Sequence, residues 1–264
     1  MVRLDNSRGV LLVLLSAVVL SSGCIESSST NLNPDFNLDV NTTSANSSGM
    51  EIYRTSMSRA GNVSTYRVEA DNSMAMNLPV VGLSLNMTSK GLFEKESYDI
   101  NSSGVMGFNF GEETNFTEFN TRVMSLENDT KVEKEAKDRE NQTKEQYSRE
   151  DLGLSLEALE DISVENASVL GIANHEGEEN LLLELNINSS DLIRNSEKIF
   201  EVHSPVQESA GESGDMSEAE KFDKVEAYLW AERETRNPSK FAYYGSAKNG
   251  SIQVRSETEF ENIS

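Results

Sequence analysis

Between Thr65 and Leu78, apolar and polar residues alternate. Tyr66, Val68, Ala70, Met74, Met76 and Leu78 fall on even positions with Asn72 among them, and Arg67, Glu69, Asp71, Ser73 and Asn77 fall on odd ones. A period of two marks a strand with one face on a core and the other in solvent. The pattern restarts after Pro79 and Gly82, with Leu83, Leu85 and Met87 against Ser84, Asn86 and Thr88, and runs toward Phe93. Each run is about twice the usual strand length of about 5–6 residues. Long antiparallel strands coil rather than lie flat. Further strands are predicted at Val105–Phe110, Asn115–Leu126, Ser163–Leu170, Leu181–Ile187, Phe222–Glu234, Pro238–Lys248 and Ser251–Phe260. Asn249-Gly250, between the last two, is a hairpin signal.

Three stretches carry helical spacing. Gly49–Ala60 places Met50, Tyr53 and Met57 on one face, with Ser47 or Ser48 as cap; Leu154–Asp161 is a short helix; Ser190–Val202 is capped by Ser189 or Ser190. Residues 127–151 are densely charged and nearly devoid of apolar side chains, so an exposed hairpin, a solvated helix and a disordered excursion all stay open. Residues 204–218 are rich in Gly, Ser and Glu and read as a loop. Helix, long meandering strands, a late helix and a final meander make one α+β domain over residues 48–264 the economical reading.

The N-terminus has a different character. Arg3 and Arg8 precede the apolar run Val10–Leu20, which leads through Ser21-Ser22-Gly23 to Cys24, the single cysteine. A charged start, a short apolar core and a small-residue exit form an export signal over residues 1–23. The run falls short of the roughly 20 apolar residues that a spanning helix needs. It resembles a lipoprotein signal, with Leu20-Ser21-Ser22-Gly23-Cys24 in place of the lipobox. That resemblance implies a lipid on the Cys24 thiol; ordinary cleavage beside an unrelated cysteine is the alternative. Residues 24–47 are polar and unpatterned, and are expected to form a disordered tether.

Charge and sequons sharpen the setting. The chain has 45 acidic and 23 basic residues, a formal charge of −22. Such a field repels nucleic acid and suits a salty exterior, where screening weakens self-repulsion. Asn-X-Ser/Thr occurs at Asn41, Asn46, Asn62, Asn86, Asn101, Asn115, Asn128, Asn141, Asn166, Asn188, Asn249 and Asn262, so about half of the 25 asparagines begin a sequon. The excess points to N-glycosylation on an exported surface. Together these features place the protein on the outer face of an archaeal cell, lipid-anchored to the cytoplasmic membrane.

Catalytic patterns are missing. The only histidines are His175 and His203, and the chain has no Gly-X-Ser-X-Gly, no phosphate-binding glycine loop and no His-Glu-X-X-His. His175-Glu176-X-Glu178-Glu179 could touch a metal, but it reads first as a solvated turn. No catalytic residue, metal or cofactor is expected, and the protein is expected not to be an enzyme.

A resemblance adds to this reading. The N-terminal helix followed by Ser64-Thr65-Tyr66-Arg67-Val68-Glu69-Ala70 carries the first likeness. The run Gly177–Asn186 with the helix near Asp191-Leu192 carries the second, and Val225–Pro238 the third. In this order the chain resembles the lipoprotein-carrier superfamily of Lol-type (LolA-like, LolB-like) and LppX-type lipoproteins. The resemblance implies a strongly curved antiparallel β-sheet, an open half-barrel, with a few helices covering its concave face. It also implies that this face holds an acyl chain or another hydrophobic ligand. Tyr66, Val68, Met74, Met76, Leu83, Leu85 and Met87 are the residues expected to touch it, the methionines adapting to a flexible chain; plain core packing is the competing role. The rivals to ligand carriage are a cell-envelope interaction module with a filled core and an extracellular sensor or accessory subunit.

Overall fold

The structure, a computed structural model, describes residues 32, 35–36, 38, 40–41, 48–77, 81–95, 97–110, 113–126, 129–136, 139–143, 147–204, 222–247 and 250–262. The strands are β1 (Val40–Asn41), β2 (Tyr66–Asn77), β3 (Val81–Glu94), β4 (Ser97–Phe110), β5 (Glu113–Leu126), β6 (Asp129–Ala136), β7 (Arg139–Thr143), β8 (Val164–His175), β9 (Glu178–Ile187), β10 (Lys224–Glu232), β11 (Pro238–Ala247) and β12 (Ile252–Asn262). The helices are α1 (Gly49–Ala60), α2 (Leu156–Glu160) and α3 (Ser189–His203), with a 3-10 turn at Glu150–Leu152.

All strands join one 12-stranded sheet in the order β1-β8-β9-β10-β11-β12-β2-β3-β4-β5-β6-β7, and every pairing is antiparallel. β1 and β7 end the sheet as separate edges, so the barrel is open. One core cluster nevertheless takes side chains from β8, through Ala167, to β6, through Val132. Laid flat, those strands would spread over about 43 Å. Only a sheet that curls can gather them around one set of helices. α3 shows the curl directly: its Ser196 meets Tyr243 of β11, and its His203 meets Ser102 of β4.

The alternation read from the sequence is the concave–convex alternation. Tyr66, Val68, Ala70 and Met74 are buried, while Arg67, Glu69 and Asp71 are exposed. The second long run, β3, continues the concave face with Leu85, Met87 and Phe93 buried. Register carries it onto β4 through Phe93–Tyr98, Gly91–Ile100 and Leu85–Met106. β4 begins at Ser97, earlier than predicted; its polar stretch Asn101-Ser102-Ser103 broke the apolar pattern, but Ser102 still faces inward and bonds Ser89 at 2.8 Å.

Local caps set the helix starts. Ser48 caps α1, accepting from the Glu51 N–H. Ser155 caps α2, accepting from the Ala158 N–H at 2.9 Å. α3 begins one residue earlier than predicted, and its cap is Asn188 rather than Ser189 or Ser190. Asn188 is extended, and its side-chain oxygen accepts from the Ser190 N–H. Of the three alternatives for residues 127–151, the hairpin is the one formed: β6 pairs with β7, and the 3-10 turn follows.

The expected tether over residues 24–47 is corrected at its described positions. Phe36, Leu38 and Val40 pack on a second apolar cluster, Ala173, Leu182, Tyr228, Trp230 and Ala242, on the convex face. Phe36 meets Tyr228 edge-on with centroids 5.5 Å apart, and the Arg255 guanidinium lies 5.0 Å above its ring. The Leu32 N–H donates to Gln253 Oε1 of β12, and β1 pairs with β8. Gly171 lets β1 approach, since a Cβ there would stand 2.5 Å from the Asn41 carbonyl oxygen. This segment is a strap across β8–β12, held by apolar contacts that a featureless polar chain could not make. The predicted loop at 204–218 lies outside the described residues beyond Ser204.

Candidate functional site

The concave face divides into two parts. In the first, the helices are locked onto the sheet. Tyr66 is fully buried and stacks on Phe93 with centroids 4.7 Å apart. Its hydroxyl accepts from the Leu156 N–H at 3.0 Å and donates to Glu157 Oε2 at 2.9 Å. Arg149 lies over both rings, 5.5 Å from Tyr66 and 5.2 Å from Phe93, and pairs with Glu157 at 3.0 Å. Tyr98 donates to the Tyr147 carbonyl at 2.8 Å. Burial, with the Glu157 charge second, pushes the Tyr66 phenol above its ordinary pKa; burial does the same to Tyr243.

His203, fully buried at the end of α3, closes this part. Its Nε2 lies 3.1 Å from the Leu152 carbonyl, which can only accept, so Nε2 carries the proton. Its Nδ1 lies 3.2 Å from the Ser102 hydroxyl. Between helices and sheet, a void of about 10 Å³ among Leu154, Ile162, Asn195, Phe241 and Tyr243 has room for no more than one water. Among the described residues, this part of the face packs helix against sheet.

The second part lies beyond His203. Three cross-strand rows follow the Ser89–Ser102 row: Asn72–Met87–Gly104, Met74–Leu85–Met106 and Met76–Leu83–Phe108. Val254 and Ile252 flank them on β12. At about 6.6 Å between rows, the strip is about 13 Å long from its first row to its last. Met74, Leu85, Met87 and Met106 are buried, whereas Met76, Leu83 and Phe108 at the rim are half-buried. Four methionines give the strip soft, unbranched side chains that re-pack easily. Asn72 is the polar exception. It is 2% exposed; its Oδ1 accepts from Ser256 at 2.7 Å, and its Nδ2 has no hydrogen-bond partner.

The seven expected contact residues are therefore split. Tyr66 and Val68 sit in the first part, where the Tyr66 hydroxyl serves the α2 start. Met74, Met76, Leu83, Leu85 and Met87 come together in the strip. Met106 and Phe108 join them and were missed, although they continue the even-position alternation of β4. Arg149 and His203 were missed as cover-to-sheet contacts: Arg149 stands in a polar stretch without apolar period, and His203 falls one residue past the predicted end of its helix.

The His175 turn forms a groove of about 350 Å³ with Arg67, Lys90, Glu178 and Glu259, and His175 Nε2 lies 3.8 Å from Glu259 Oε1. Among the described residues, no group of three His, Cys, Asp or Glu side chains is placed to hold a metal. Cys24, Asn46, Asn128 and Asn249 lie outside the described residues, as do the side chains of Asn141 and Asn262. The other seven sequon asparagines are all exposed: Asn41, Asn62, Asn86, Asn101, Asn115, Asn166 and Asn188. Among the remaining asparagines with described side chains, only Asn120, Asn174 and Asn186 are exposed, against Asn72, Asn77, Asn109, Asn180, Asn195 and Asn237 that are not. Exposure thus follows the sequon and not the residue type. Among the described residues, no helix is long and apolar enough to cross a membrane.

No family model and no curated protein sequence matches the chain. In backbone it is similar to LprF from Mycobacterium bovis, at 10% identity and a TM-score of 0.42 over 81% of this chain and 91% of that one. It is also similar to a DUF1329 family protein from Desulfovibrio piger, at 12% identity and a TM-score of 0.24 over 81% and 91% of the two chains. A third similarity is to a β-barrel-like protein of DUF1849 from Brucella abortus, at 12% identity and a TM-score of 0.30 over 76% and 99%.

Proposed function

We propose that this protein is a lipid-anchored, N-glycosylated lipoprotein of the extracellular membrane face that binds one hydrophobic chain along the methionine strip, without catalysis. The observation that carries the reading is the strip itself: apolar side chains on β2, β3 and β4 past the end of α3, half-buried at one end, with one buried donor among them, Asn72 Nδ2, that lacks a partner. An unpaired buried amide costs about 1–3 kcal/mol. A ligand with an acyl chain and an ester or carbonyl oxygen would bury the rim and accept from that amide. The signal at Val10–Leu20 with Cys24 supports the anchor, and the exposure of the seven described sequons supports glycosylation.

Native mass spectrometry of the mature chain from its own host, before and after organic extraction, tests this. A stoichiometric apolar mass that extraction removes is expected, with its loss in a Met76→Lys/Leu83→Lys variant that keeps wild-type circular dichroism. A bare glycoprotein that takes up no added lipid would refute it. One observation favours a second reading, an envelope interaction module: under the helices, the void among Leu154, Ile162, Asn195, Phe241 and Tyr243 is only about 10 Å³. In that case the same variant alters neither bound mass nor fold.

A further inference from the structure

The strap shortens the link between Cys24 and the domain. The Leu32 N–H is fixed to Gln253 Oε1, and Gln253 is the second residue of β12, beside Ile252 and its partner Met76. Eight residue steps separate Cys24 from Leu32. Fully extended they reach about 29 Å, and on average about 16 Å.

The opposite end of the half-barrel is farther away than that. From Gln253 to Asn262 along β12 is about 30 Å, and the β3–β4 turn at Lys95 adds about 7 Å more. With its strands upright on the surface that holds Cys24, the domain cannot set that end against it. The methionine strip ends level with Gln253, since Ile252 pairs with Met76, Met76 with Leu83 and Leu83 with Phe108.

An independent feature sits at the same end. Phe116 and Val105 are the exposed large hydrophobics among the described residues, at 68% and 37%. Both lie on the convex side of the β4–β5 ladder, Phe116 opposite Gly107, just behind the strip. The half-buried rim of Met76, Leu83 and Phe108 and these two side chains form apolar borders on both faces of one end. The protein carries a formal charge of −22, so such an end suits apolar contact with lipid rather than charge attraction to anionic headgroups, which requires that the sequons at this end, Asn86 opposite Val105 and Asn115 opposite Phe108, carry no glycan.

We infer that the methionine-lined end faces the bilayer that holds Cys24, so that the strip opens onto the membrane. The inference rests on the proposed anchoring and adds an orientation to it. Because Cys24 is the single cysteine, the mature chain can be coupled through it to a maleimide lipid in phosphatidylcholine vesicles. The anchor is then present whether or not the host supplies one. Fluorescent non-natural residues at exposed Thr114, at the strip end, and at exposed Lys95, at the far end, report proximity to a quencher lipid. With the two ends about 45 Å apart, quenching at position 114 is expected to exceed that at position 95 by at least about threefold. Equal or reversed quenching would overturn the orientation. Twenty Gly/Ser residues inserted between Cys24 and Leu32 should bring the two signals together, and an unchanged bias would overturn the role of the short link. The mass of the N-terminal peptide from the native host reads natural lipidation separately.

Discussion

Replacing Tyr66 with Phe removes one oxygen from a fully buried side chain and keeps its ring. The hydroxyl makes two bonds, from the Leu156 N–H at 3.0 Å and to Glu157 Oε2 at 2.9 Å. Leu156 is 1% exposed, so its N–H, one of the orphan donors of the α2 start, is left in a dry site. That costs about 1–3 kcal/mol. The Glu157 side chain is 29% exposed and regains water, so its loss is small. The ring stays stacked on Phe93 beneath Arg149, and no cavity larger than one oxygen forms. The expected total is a destabilisation of about 2–3 kcal/mol. Urea unfolding followed by the fluorescence of Trp230, the single tryptophan, measures it. A Glu157→Gln variant and the double variant complete the cycle, with a coupling of about 1 kcal/mol expected between the two sites. A loss below about 0.5 kcal/mol, with the slope of the unfolding curve unchanged, would refute the view that this hydroxyl holds the helices to the sheet.

Three further outcomes follow from the same contacts. Burial raises the phenols of Tyr53, to about 12 with Glu160 as the lesser cause, of Tyr66 and of Tyr243. In the unfolded chain these phenols ionise near about 10, so their stabilisation is complete below that pH and is lost as pH rises toward the folded values, at about 1.4 kcal/mol per pH unit for each. Urea midpoints should therefore fall between pH 9 and 11, less steeply in Tyr66→Phe; a flat profile would show that these phenols reach water. In Gly49→Ala the new Cβ would stand 2.1 Å from the Ala167 carbonyl oxygen, so α1 must shift off β8 at a cost of about 1–3 kcal/mol, read as a lowered melting temperature. Phe36→Ala should cost about 1.5–2.5 kcal/mol, half the value for a fully buried ring, and red-shift Trp230 emission as the strap loosens; unchanged emission would mean that the strap does not shield that face.

Much of this architecture is written in local signals. The period of two along β2 and β3 assigns each side chain to a face, because successive Cβ atoms point to opposite sides of a strand. Ser48 and the apolar spacing after it start α1 for reasons contained in a single turn. The charged start and short apolar run before Cys24, the solitary cysteine and the dense sequons likewise belong to the sequence and need no fold to be read. Even the strap left a trace, since Phe36, Leu38 and Val40 alternate with Asn37, Asp39 and Asn41 in a segment otherwise polar. Only the tertiary structure shows what that alternation meets: Tyr228 and Trp230, far along the chain, on a convex face that exists only once the sheet has coiled. The same holds for the concave face. Tyr66 and Met76 look equivalent in the pattern, yet one lies under Arg149 and α2 and the other at an open rim, because α3 ends level with Ser102. Alternation fixes which way a side chain points; how far the helices reach across the curved sheet decides whether it lies beneath a helix or at the rim.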